Sequence, residues 1–72
     1  SVDPVARQRI LDAAAALLVQ RGVASVRRRD VAAAADVSRR QVDELAASRT
    51  DLLRMLIDIL PFPPVAVRMA DQ

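Results

Sequence analysis

Neither cysteine nor histidine occurs in the 72 residues. Without cysteine no disulfide staples the fold and no thiolate binds a metal. Without histidine there is no Cys/His zinc site, no imidazole general base and no Ser-His-Asp triad. A single glycine, Gly22, rules out the glycine-rich loops that cradle phosphates. A carboxylate pair is the one catalytic device left, and a chain this short has little room for a deep pocket. No enzyme, no cofactor and no metal site is expected. Trp and Tyr are also missing and Phe62 is the only aromatic residue. The core must therefore be thin and aliphatic, in a domain whose length already makes it marginal.

Lysine is absent too, so all eleven cations are arginine, and fourteen residues are alanine. A GC-rich genome accounts for both biases without any functional selection. The net charge is only +2, but it is unevenly spread. Residues 27–40 carry five Arg against Asp30 and Asp36, whereas residues 41–60 carry two Arg against Asp43, Glu44, Asp51 and Asp58. A basic block beside an acidic one gives the surface a direction, and the basic side suits nucleic acid. The longest apolar run, residues 13–19, is too short to span a membrane. Gln20-Arg21 follows it where a signal peptide would place small residues. A cytoplasmic protein without membrane contact is expected.

Ala, Leu and Arg favour helix, and no segment alternates with period two, so the fold should be all-α. Asp3-Pro4 opens a first helix over about 4–21, with Val5 or Ala6, Ile10, Ala13 or Ala14, Leu17 and Leu18 on one face and Gly22 as its stop. Ser25 is a candidate cap for a second helix over about 27–35, which ends in a tight turn at Asp36-Val37. Ser38-Arg39-Arg40-Gln41 is a capping box, flanked by Val37 and Val42 as a hydrophobic staple, and opens a third helix over 38–46. Ser48 repeats the capping pattern ahead of a fourth helix over 49–60. Pro61, Pro63 and Pro64 end helical structure and leave residues 61–72 as a Pro-rich tail. Leu53, Leu56, Ile57, Leu60 and Phe62 form an apolar surplus that invites self-association through the fourth helix or the tail.

A helix, a short turn and a second short helix make a helix-turn-helix, in which the start of the second helix meets base edges in the major groove. Here that start is Arg39, Arg40 and Gln41. Arg can bond guanine bidentately and Gln can bond adenine bidentately. Ser38, Arg49 and Arg27, Arg28 and Arg29 are candidates for phosphates, which fix register without reading sequence. The same layout also occurs in modules that bind other proteins, and the acidic Asp43-Glu44 pair suits that alternative.

Residues 9–57 resemble the N-terminal domain of tetracycline-repressor (TetR) type transcription regulators. The resemblance rests on Arg9-Ile10-Leu11-Asp12-Ala13-Ala14, Leu17-Leu18, Gly22, Asp30-Val31-Ala32 with Ala35, Val37-Ser38, and Arg49 with Leu52-Leu53. Residues 30–42 are also similar to the lac-repressor-type motif, but the long helix ahead of them favours the TetR resemblance. The resemblance implies a dimer that binds a palindromic operator on double-stranded DNA and usually represses. It also implies a ligand-binding domain after the fourth helix, and these 72 residues contain no site for an effector. The chain departs from the pattern at Val26 and Arg28, in the turn and in the second helix of the motif. Asp36 stands where glycine is usual, Gln41 where Thr is usual, Asp43 where an aromatic is usual and Ala46 where Phe is usual. Asp43 lies one turn from Arg39 and Arg40, so it either holds an arginine or repels the DNA backbone. The aromatic that the resemblance puts there favours repulsion. At Ala46, Leu45 is expected to turn inward and replace the lost bulk.

Overall fold

The computed structural model describes residues 2–59. It is all-α: α1 (Pro4–Arg21), one turn of 3-10 helix (Val23–Ser25), α2 (Arg28–Ala35), α3 (Arg39–Leu45) and α4 (Arg49–Ile59). No strand occurs among the described residues. The expected Pro-rich tail, with Leu60 and Phe62, lies outside them.

α1 is the spine, and α2, α3 and α4 all pack against it. Asp3 caps it through Oδ1, which accepts from the Val5 amide at 3.3 Å. Its buried face is Ala6, Ile10, Leu11 and Ala14, while Leu17 and Leu18 are only half-buried against the core. These meet Val26, then Val31, Ala32 and Ala35 of α2, Val42 of α3, Ala46, and Leu52 and Leu56 of α4. No polar or charged side chain is buried among the described residues. Leu45 packs against this core from its edge, next to the fully enclosed Ala46.

Two turns depend on unusual backbone. Gly22 ends α1 at φ 89° and ψ 173°, a region open essentially to glycine alone. Asp36 ends α2 in the left-handed conformation, φ 58° and ψ 46°, with its amide aimed back at the Ala32 and Ala33 carbonyls. Ser38 then caps α3: its Oγ accepts from the Gln41 amide at 3.2 Å, and Gln41 Oε1 accepts from the Ser38 amide at 3.1 Å. Ser48 caps α4 in turn, accepting from the Asp51 amide at 3.2 Å.

The beginning of α2 differs from expectation. Ser25 does not cap it; its hydroxyl instead lies 3.0 Å from the Leu17 carbonyl oxygen and 2.7 Å from that of Gly22. Arg27 occupies the cap position in an extended conformation, so the helix starts at Arg28 without a side-chain cap. Arg49, the first residue of α4, reaches back to the same connection. Its Nε donates to the Val26 carbonyl at 2.9 Å and its Nη2 to that of Val23 at 2.6 Å.

Paired substitutions separate the two turns. Gly22→Ala meets no steric obstacle, because the added methyl group would point into open space. It should nevertheless destabilise by about 1–3 kcal/mol through backbone strain alone. Asp36→Gly should act in the opposite direction, because a left-handed L-residue costs about 1–2 kcal/mol and glycine avoids most of it. Thermal unfolding checks both, at roughly 4–8 °C per kcal/mol for a domain of this size. Arg49→Ala should destabilise by about 1–2 kcal/mol by freeing two carbonyls. Arg49→Lys should not restore that loss, since an ammonium lacks the planar fork.

Candidate nucleic-acid interface

The Asp36 turn and the Ser38 cap together present the first turn of α3 to solvent. Arg39 and Arg40 are exposed, whereas Val42, about half a turn round the same helix from Arg40, is fully buried. Arg27, Arg28, Arg29, Arg39 and Arg49 line one depression. Thus arginines from the α2 entry, α3 and α4 converge although they are up to 22 positions apart in sequence. Arg40 and Gln41 do not join that group and stand on the α3 rim.

The cations are placed against the preference of the helix itself. The N-terminal end of a helix carries partial positive charge and its C-terminal end partial negative charge. α3 has no acidic residue in its first turn and no basic residue in its last. It holds Arg39 and Arg40 at the disfavoured end, with Asp43 and Glu44 one turn further on. Both i,i+4 pairs form: Arg39 Nε sits 3.1 Å from Asp43 Oδ1, and Arg40 Nε 3.4 Å from Glu44 Oε1. An acid following a cation is the weaker orientation for such pairs. Helix stability alone does not explain this arrangement.

Several candidate residues carry internal duties as well. Arg28 donates from Nη1 to Asp43 Oδ1 at 3.1 Å and to the Ala47 carbonyl at 2.7 Å, tying α2 to α3 and to the connection after it. Arg49 commits two of its five N–H donors, one on Nε and one on Nη2, to the Val26 and Val23 carbonyls, which leaves Nη1 and the second N–H of Nη2 for a phosphate. Gln41 holds its carbonyl oxygen on the Ser38 amide, so bidentate contact with adenine competes with the cap. Among the described residues Arg29 is exposed and has only a long contact to Asp30 at 3.9 Å, while Arg27 lines the depression.

Of the two roles that the sequence leaves open for Asp43, holding an arginine is the one for which the structure supplies partners. Its Oδ1 is shared between Arg28 and Arg39, so the carboxylate holds arginines in place. The Arg39–Asp43 spacing is visible in the sequence. The Arg28–Asp43 contact, 15 positions apart, follows no helical period and has no sequence signal.

Among the described residues no group of His, Cys, Asp and Glu could hold a metal ion, and no helix is long and apolar enough to cross a membrane. No curated protein and no solved structure matches the chain significantly. A family model does: that of the bacterial regulatory proteins of the tetR family matches residues 10–54. That span runs from Ile10 in α1, through α2 and α3, to Arg54 in α4, and so contains the whole arginine-lined surface. With more than half of its length matched, the chain belongs to the tetR family of bacterial regulatory proteins, transcription regulators that bind DNA.

Proposed function

We propose that α3 is the recognition helix, that it lies in the major groove of double-stranded DNA, and that the protein acts as a repressor at a palindromic operator. The observation that carries this reading is the exposed, capped start of α3, where Arg39 and Arg40 stand against the helix dipole beside the five-arginine depression. Arg39 and Arg40 are the base readers, as each has a planar fork suited to guanine. Gln41 acts mainly through the cap, and reaches a base only with a group that the cap leaves free. Arg27 and Arg29 take phosphates, with Ser38 and the remaining N–H donors of Arg49 at the flanks. Arg28 supports the surface from beneath. The absence of acid in the first turn of α3 favours this reading over a protein-binding module, whose partners do not require unbroken positive charge.

A palindromic operator requires a two-fold dimer with half-sites about 34–36 Å apart. α4 offers part of such a contact, since Ile57 and Ile59 are 62% and 48% exposed. Leu56, expected on that surface, is instead fully buried in the core. The proposed dimer contact is therefore the outer face of α4, with Leu53 half-buried at its margin.

Two measurements test these readings. The first is titration with mixed-sequence duplex at two salt concentrations, where binding should weaken steeply as salt rises. Arg27→Ala or Arg29→Ala should lower affinity for all sequences alike and reduce the salt slope by about one. The exchange Arg40→Glu with Glu44→Arg keeps net charge constant and places both charges with the dipole. It should raise stability by about 0.5–1 kcal/mol while weakening DNA binding. Retention of full DNA affinity by this double variant would remove α3 from the interface. The second is sedimentation of the protein at high micromolar concentration: self-association is expected, and Ile57→Glu should abolish it. A monomer throughout would refute the α4 dimer.

A further inference from the structure

Among the described residues Arg39 makes one polar contact, and it is made by Nε. Both terminal nitrogens are therefore left without a protein partner, on a side chain that is half exposed. The contact is to Asp43 Oδ1 at 3.1 Å, and that carboxylate is itself held by Arg28 Nη1 at 3.1 Å. Arg28 is in turn fixed by the Ala47 carbonyl at 2.7 Å and is only 25% exposed. The result is a relay of four groups, from a backbone carbonyl through a part-buried guanidinium and a carboxylate to an outward guanidinium. The neighbouring pair lacks this support. Glu44 has no second partner among the described residues, and its Arg40 is 87% exposed.

We infer that Asp43 is a specificity-determining positioning residue, which holds Arg39 so that its terminal fork reads a guanine. This rests on the proposal that α3 enters the major groove. The chemistry follows from which nitrogens are occupied. A guanine presents two acceptors, N7 and O6, to the major groove, and bidentate recognition needs two parallel N–H donors. With Nε bound to Asp43, the end-on pair Nη1 and Nη2 is the one available, and the guanidinium plane is already set. An unsupported arginine must lose its rotamer freedom on binding, whereas a supported one has lost it beforehand. Asp43 also excludes alternatives. A carboxylate at the groove repels phosphate and opposes a slide of Arg39 onto the backbone, where it would bind without reading sequence. Nor does the dipole of α3, which favours acids only near the N-terminal end, account for an acid this close to the C-terminal end.

The test begins with the full 72-residue chain and a randomised double-stranded DNA pool, from which an enriched duplex is obtained. Arg39→Ala identifies the base pair that Arg39 reads, as the position whose guanine preference disappears. Asp43→Ala is then measured on the enriched duplex, on the duplex changed at that one position, and on mixed-sequence DNA. Alanine is the best helix former and Asp43 is exposed, so the fold should tolerate it; circular dichroism verifies this. The expected result is a fall in guanine preference of about 3- to 10-fold at that position, with mixed-sequence affinity unchanged or raised. Asp58→Ala, which removes an exposed acid from α4, should leave the preference intact. A purely structural role for Asp43 would lower specific and general binding together, and that outcome overturns the inference. Unchanged guanine preference in Asp43→Ala overturns it as well, while leaving the DNA-reading helix standing. If the unaltered chain enriches no duplex even at low salt, the proposed function itself fails and this inference falls with it.

Discussion

The geometry of the interface hangs on one residue in a conformation that most residues avoid. Asp36 takes φ 58°, and the chain there leaves α2 and enters α3 within three residues. No glycine relieves this joint. A short polar side chain is the next best solution, because it tolerates the left-handed region better than any branched or bulky one. The turn brings Ser38 directly to the cap, and the cap fixes where the first turn of α3 begins. Val42 is drawn fully into the core, which turns Arg40, two positions earlier, to the outside of α3, and Arg39 is exposed beside it. A change in that turn would rotate Val42 and the arginines together.

The remainder of the structure compensates for a core without large side chains. Its fully enclosed members are Ile10, Leu11, Val26, Val31, Val42, Leu52 and Leu56, supplemented by alanines. Such a core holds short helices loosely, and α2 and α3 have only eight and seven residues. Arginine supplies the missing connections. Arg49 links α4 to the Val23–Ser25 turn and Val26, and Arg28 links α2 to Asp43 and Ala47. These bonds lie at the edge of the basic surface, so the side chains that brace the fold also contribute to its positive field. Substitution of either arginine therefore combines a fold effect with a charge effect, and the two are separable only by measuring stability alongside binding.

Local features of the fold are legible in the sequence because their causes are local. The Ser38 box, the Ser48 cap, the Asp3 cap and the Asp36 turn each depend on residues within four positions. The start of α2 is harder to place because Ser25 looks like a cap, yet its hydroxyl turns back to the end of α1. Leu56 reads as a surface residue because the apolar stripe of α4 is wide, and periodicity alone does not show which edge the core covers. At the candidate site, the sequence locates the arginines but not their partners. The Arg49–Val23, Arg49–Val26, Arg28–Asp43 and Arg28–Ala47 bonds span 15–26 positions. Contacts of that range arise from tertiary packing and leave no periodic trace. Sequence alone consequently leaves Asp43 between holding an arginine and repelling the DNA backbone, and shows only one of its two arginine partners.

The central claim is that the first turn of α3 and the arginines beside it face DNA. Chemical-shift mapping tests it most directly, with duplex DNA added to the isotope-labelled chain and both backbone amides and arginine Nε–H groups observed. The account predicts that the largest perturbations fall on Ser38, Arg39, Arg40 and Gln41 and on Arg27 and Arg29, with the outer face of α1 around Val19 unaffected. Perturbations centred on Ile57 and Ile59, or on α1, with α3 unchanged, would contradict it.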